Sequence, residues 1–199
     1  MDLSDIKKGF SEAGPTGEAG PNAFEKHPDS AAEQSAAESV VVFPDEESKK
    51  ATEKAMALLL HKDRTEHELH DRLYRAGFSE IASDFAMDYV SRFGYINDLR
   101  YACGYIDYHK LTKSKNEIRR KLKERGVSDG ILSEAFSTCY DGAETVEGEE
   151  PEDVAMRALL TKRLRGREVS ELTFEEKQKQ MRYLAGKGFP SDRIRRLFS

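Results

Sequence analysis

The sequence repeats itself at a spacing of 49 residues, and few folds accommodate such a pattern. Thr65-Glu66-His67-Glu68-Leu69, Leu73 and Gly77-Phe78-Ser79 recur without a gap as Ser114-Lys115-Asn116-Glu117-Ile118, Leu122 and Gly126-Val127-Ser128. Thr65 and Ser114 are N-cap residues, and Glu68 and Glu117 stand at the third helical position, the pattern of a capping box. Loss of either cap is expected to cost about 1 kcal/mol. Leu69 and Leu73, like Ile118 and Leu122, lie four apart and share a helix face. Gly77 and Gly126 fall where the chain must turn left-handed after a helix, which glycine does without a Cβ clash. Ser79 and Ser128 then cap a further helix, with apolar faces of Ala82, Ala86 and Val90 in one copy and Ile131, Ala135 and Phe136 in the other.

A looser third copy follows. Thr173 and Glu176 form another capping box, and Leu184 stands four residues before Gly188. Phe189, Pro190 and the cap Ser191 lead to an apolar face of Ile194, Leu197 and Phe198. Helical stretches at Thr52–His61, Asp98–Tyr108 and Asp153–Leu164 precede the three blocks. The fold expected is all-α: three tandem three-helix repeats at 48–97, 98–140 and 153–199, forming an elongated, curved body. Asp141–Asp153 carries seven acids, two Gly and one Pro, and its residues 141–152 read as an acidic linker.

Residues 1–47 read as a disordered acidic segment, because the stretch from Gly9 to Ser39 has too few large apolar residues to offset ordering entropy. Val40–Phe43 is its one β-prone patch, and Asp45 can cap a helix opened by Glu46-Glu47. Charge is unevenly spread: residues 1–50 carry five Lys/Arg against eleven Asp/Glu, whereas 154–199 carry twelve against five. The basic C-terminal part suits an anionic partner. The longest strongly apolar run, Ala55–Leu60, is far short of the roughly 20 residues that span a bilayer, and Met1–Phe10 has no apolar signal core. No membrane association is expected, and a reducing, cytoplasmic location is.

Catalytic chemistry finds no foothold. His61, His67 and His70 lie near Glu66 and Glu68, but His67 and His70 lack the four-residue spacing of a zincin helix. Cys103 and Cys139 have no neighbouring Cys or activating base and read as ordinary packed or half-exposed thiols. Gly166, among Arg163, Arg165 and Arg167, reads as a basic turn rather than a phosphate loop. The chain is expected to be no enzyme and to need no cofactor, metal or small-molecule substrate.

The stretch joining the first two repeats is Phe93-Gly94-Tyr95-Ile96-Asn97-Asp98-Leu99-Arg100-Tyr101-Ala102, in which Tyr95 and Ile96 are expected to pack inward and Asn97-Asp98 to cap. It resembles the linker of the RecX family, bacterial regulators of the RecA recombinase: Gly, aromatic, aliphatic, Asp, Asp, two variable positions, aromatic, Ala. The Glu-Leu-x-x-x-Leu block with its Gly-Phe exit is similar too, as is Arg182-Tyr183-Leu184-Ala185-Gly186-Lys187-Gly188-Phe189. The departures are Asn97 for the first Asp, the acidic insertion, and Gln180 where the other copies have Leu69 and Ile118.

The resemblance implies a regulator that lies along the groove of the RecA–DNA filament as a monomer, hindering ATP turnover, strand exchange and cleavage of repressor-type substrates. It places the protein in DNA repair, homologous recombination and the SOS response. The alternative is an autonomous DNA-binding protein built of helix-turn-helix-like repeats, which the acidic first repeat disfavours; a helical scaffold for another protein is the plainest reading. At 100° per residue, Asn116, Arg120 and Lys123 point away from the Ile118–Leu122 stripe and Arg119 flanks it. Arg196 points away from the last apolar face, which Arg193 and Arg195 flank, and Arg182 and Lys187 add charge. These eight basic residues are the expected contacts with acidic RecA surface or with single- or double-stranded DNA.

Overall fold

The computed structural model describes residues 43–141 and 148–199. Among them the chain is all-α, with α1 Glu46–His61, α2 Glu66–Arg75, α3 Glu80–Arg92, α4 Asp98–His109, α5 Lys115–Glu124, α6 Asp129–Cys139, α7 Pro151–Leu164, α8 Phe174–Gly186 and α9 Ser191–Leu197, plus a 3-10 turn at Val169–Glu171. The expected disorder of the head and most of the β-prone patch lie outside the described residues. Phe43 is described, and its ring rests on Phe85 and Tyr89. Asp45 caps α1 by accepting from the Ser48 N–H, so this helix begins before Ser48. Likewise α7 begins before Asp153, with Pro151 in its first turn, where a missing N–H costs nothing.

Three separate cores result. Unit 1 (α1–α3) buries Ala51, Ala55, Leu69, Leu73, Ala82, Ala86, Val90 and Ile96. Unit 2 (α4–α6) buries larger residues, including Tyr105, Ile106, Ile118, Leu122, Leu132 and Phe136. Unit 3 (α7–α9) buries Ala155, Met156, Leu160, Leu184, Phe189 and Ile194. Full burial of each Leu or Ile contributes about 1.5–3 kcal/mol.

Several local expectations need correction. On α6 it is Leu132, not Ile131, that goes fully inside with Ala135 and Phe136. Tyr95 stays 47% exposed while Ile96 alone turns in. Ser191 is the first residue of α9 rather than its cap, because Pro190 takes the extended cap conformation. Gln180 is nevertheless buried, and its carbonyl oxygen accepts from Arg163 Nε at 2.8 Å, which satisfies a polar group in an apolar position. Cys103 and Cys139 are not separate thiols: they form a disulfide that ties α4 to α6.

The units are joined by a repeated device. Thr65 accepts from the Glu68 N–H, as a cap should, and its own hydroxyl donates at 2.6 Å to the Arg125 carbonyl at the end of α5. Ser114 does the same one unit on: it accepts from the Glu117 N–H and donates at 2.6 Å to the Lys187 carbonyl at the end of α8. The C-terminus of α8 thus abuts the N-terminus of α5, and the C-terminus of α5 abuts the N-terminus of α2. Orphan carbonyls meet helix N-termini, and the macrodipoles run head to tail. A carboxylate completes each joint. Asp98 on α4 accepts from the Glu66 N–H at 2.9 Å, and Glu152 on α7 accepts from the Lys115 N–H at 3.2 Å. Asn97, where the resembled linker has Asp, caps α4 through the Arg100 N–H.

Close approach explains the glycines at these joints. Gly126 and Gly188 have φ of 84° and 85°. A Cβ at Gly126 would overlap the His67 side chain, and one at Gly188 would lie 3.1 Å from Ser114 Oγ. Gly77 has the same backbone, φ 90°, but faces open space.

Candidate interaction surface

The eight basic residues expected at a contact surface fall into two groups. On α5, Arg119 lies over the Phe136 ring at 4.7 Å, so its stem and guanidinium help cover the unit 2 core. Arg120 pairs with Glu124 at 2.6 Å, and Lys123 with Asp129 at 2.6 Å. Lys121 also reaches Glu124, and its hydrogen bond is the main reason that the carboxyl sits below the usual range. The α5 face is basic in sequence, but its carboxylates neutralise much of it.

On unit 3 the picture divides again. Arg193 is half-buried and lies within 3.5 Å of Glu150, Glu152 and Asp153, so it clamps α9 to the start of α7. Arg182, Lys187, Arg195 and Arg196 are exposed, and among the described residues none of them has a carboxylate within ion-pair distance. Arg182 donates to the Gln178 carbonyl and Arg195 to that of Ser191, which leaves their charge uncompensated. Lys187 lies 5.9 Å from the Tyr183 ring centre.

The unit 2–unit 3 joint brings two members of these groups together. Arg120 and Lys187 line an open cleft of about 200 Å³ with Asn116, Glu117, Gly186 and Gly188. Asn116 holds its floor by donating to the Gly188 carbonyl at 2.9 Å. A second, shallower groove on α8 places Phe174, 76% exposed, beside Lys179 and Arg182. Phe174 has no counterpart in the sequence argument; its place just after the Thr173 cap, where the other repeats have Glu66 and Lys115, was the available signal.

Other singled-out residues serve the fold. Arg163 stacks on Tyr183 at 4.2 Å, and Arg167 pairs with Glu176 at 2.9 Å, which holds that carboxyl down at about 2 with help from the Thr173 N–H. Lys115 pairs with Asp141 and lies over the Phe136 and Tyr140 rings. His67 packs on Gly126 and His70 faces Asp84 at 3.5 Å. Among the described residues, no group of His, Cys, Asp or Glu is placed to hold a metal. Burial, with Lys113 and Arg125 nearby, pushes His109 down to about 4, so it is neutral at neutral pH. Among the described residues no helix is long and apolar enough to cross a membrane. The arrangement suits recognition of an extended anionic or acidic surface by several scattered cations.

Comparison with known proteins bears on the same residues. Residues 51–89 match the family model for the RecX first three-helix domain, and residues 151–198 match that for the third. The chain is 31% identical over 145 residues to the regulatory protein RecX of Vibrio vulnificus, spanning 71% of this chain and 86% of that protein. It is 32% identical over 153 residues to that of Amycolatopsis mediterranei, spanning 74% and 80%. The crystal structure of RecX from Lactobacillus salivarius superposes with a TM-score of 0.60 at 21% identity, over 76% of this chain and 94% of that one.

Proposed function

The chain belongs to the RecX family of regulatory proteins, and from that premise we propose that it binds the RecA nucleoprotein filament and restrains its ATPase, strand-exchange and coprotease activities without catalysing a reaction itself. The observation that supports this most is the set Arg182, Lys187, Arg195 and Arg196, exposed on one unit with no carboxylate partner among the described residues. Single cations of this kind bind weakly. Clustered on unit 3, they act together on an anionic partner, and several weak contacts supply affinity without a deep pocket. Arg120 and Lys123 contribute less, because a partner must first displace Glu124 and Asp129.

The test is RecA's DNA-dependent ATPase, with and without this protein, at sub-stoichiometric and equimolar ratios. Inhibition well below equimolar supports the reading; no effect at equimolar ratio overturns it. Reversing Arg182, Lys187, Arg195 and Arg196 to Glu should relieve inhibition at least tenfold, while Arg119, Arg120 and Lys123 reversed together relieve it less. Autonomous DNA binding makes a different forecast: affinity for naked DNA that falls steeply with salt and needs no RecA. The third helix of unit 1, with Glu80, Asp84 and Asp88 against Arg92, gives that alternative no support in every repeat.

A further inference from the structure

Cys103 and Cys139 are the only cysteines of the chain, 36 residues apart, and the fold brings their Cα atoms to 5.7 Å. That separation lies within the range a disulfide spans without backbone movement. Three observations distinguish this bridge from a staple that the fold requires. The core of unit 2 is complete beside it, with Ala102, Ile106, Leu132, Ala135 and Phe136 fully or almost fully buried. Unit 1 builds the same union of first and third helix from Ala51, Ala55, Ala82, Ala86 and Val90, with no covalent link. Both cysteines sit at the margin of the unit 2 core, partly open to solvent, where a small reagent can reach them.

The position of Cys139 gives the bridge a consequence. Cys139 ends α6, and the two residues after it belong to the unit 2–unit 3 joint. The Tyr140 ring packs 5.6 Å from that of Phe136, and Asp141 pairs with Lys115. The Lys115 N–H in turn bonds to Glu152 on α7. A covalent tie at Cys139 therefore anchors the point from which the chain leaves unit 2. Without it, the last turn of α6 is held by noncovalent contacts alone, and terminal turns fray.

We propose that Cys103 and Cys139 form a reversible oxidation site that sets how firmly unit 3 is held on unit 2. The oxidant is a low-molecular-weight disulfide. One cysteine, as its thiolate, attacks that disulfide and releases one small thiol, leaving a mixed disulfide. The second cysteine, after losing its proton, attacks the protein sulfur of the mixed disulfide and releases the second small thiol. Two electrons and two protons pass from the cysteine pair to the small disulfide, and excess thiol reverses both steps. The proposal does not depend on RecA binding.

The full-length chain is equilibrated in a series of reduced-to-oxidised glutathione ratios, and free thiols are counted in the native state by maleimide labelling and intact mass. The expected result is two free thiols at the reducing end and none at the oxidising end, with a mass two hydrogens lower. The change should reverse with the buffer and produce no covalent dimer. Amide hydrogen exchange on the same samples should quicken several-fold over residues 136–141 on reduction, with residues 51–90 unchanged. The double variant Cys103→Ser and Cys139→Ser under oxidising conditions should match the reduced parent; should that variant misfold, the two states of the parent carry the comparison. A bridge that native-state reductant cannot open, two free thiols at every ratio, stable glutathione adducts or dimers would each overturn the proposal. So would a reversible bridge with unchanged exchange over 136–141.

Discussion

Thr65 and Thr173 open their helices with the same residue, followed three positions later by the same Glu, yet they face different worlds. The Thr65 hydroxyl reaches out of its unit to the Arg125 carbonyl. The Thr173 hydroxyl turns back to its own Glu176, whose carboxylate also accepts from the Thr173 N–H and pairs with Arg167. Among the three second helices, only α8 closes a full capping box. Among the described residues no carbonyl of another unit meets the Thr173 hydroxyl, and its hydrogen bonds are made within unit 3. The glycines differ in the same way: Gly77 faces open space while Gly126 and Gly188 are pressed against a neighbouring unit. A shared local motif thus serves as an inter-unit joint at Thr65 and as a self-contained cap at Thr173.

The largest effect that would break this comparison is at the glycines. Gly126→Ala should cost about 3 kcal/mol in urea unfolding, since it combines a left-handed backbone with a collision against His67. Gly77→Ala carries the backbone strain alone and should cost about 1 kcal/mol. Equal losses would mean that the joint does not press on Gly126.

Next come the caps. Thr65→Ala and Ser114→Ala should each cost about 2 kcal/mol, because each removes a cap and leaves a part-buried carbonyl in the next unit without its donor. Thr173→Ala should cost about 1 kcal/mol, the cap alone. Equal losses at all three would show that the inter-unit bonds carry no stability.

Acid titration separates the two kinds of end by sign. Glu176 has a folded pKa depressed to about 2, so its contribution is present above the unfolded value near 4.5 and is lost as pH falls towards 2. Asp98 is pushed the other way by burial, so its ionised form is disfavoured in the folded state and protonation does not weaken the fold through it. Glu176→Gln should lower the melting temperature at pH 7 and flatten its acid dependence between pH 5 and 2. Asp98→Asn, which keeps an oxygen for the Glu66 N–H, should leave that dependence intact. His109, depressed to about 4, adds stability that is full above pH 6.5 and declines as pH falls from there to 4. His109→Gln should remove that portion of the curve.

The smallest effect on stability is at the free cations. Reversal of Arg182, Lys187, Arg195 and Arg196 should shift stability by no more than about 0.5 kcal/mol each, since exposed side chains without partners leave little to lose. Arg193→Glu should cost more than any of these, because it sets a carboxylate among Glu150, Glu152 and Asp153.

Much of this molecule is readable from neighbouring residues. The caps at Thr65, Ser79, Ser114, Ser128 and Thr173, the left-handed glycines and the Leu69–Leu73 and Ile118–Leu122 stripes all depend on spacings within one helical turn or its exit. Such spacings are fixed by helix geometry, so the sequence declares them. The α5 cations were legible as an outward face for the same reason, but their neutralisation was only half so: Glu124 lies on the same helix as Arg120, whereas Asp129 reaches Lys123 across a turn.

The sequence by itself determined three helical repeats, their order and the buried stripes of α2 and α5, because those follow from periodicity and local hydrogen bonding. Tertiary structure alone decided who receives the Thr65 and Ser114 hydroxyls, 60 and 73 residues away. It also decided that Arg193 is a clamp rather than a free cation, and that Cys103 meets Cys139. These pairings join elements whose separation in sequence says nothing of their distance in space, and only the packing of one three-helix core against the next brings them within reach.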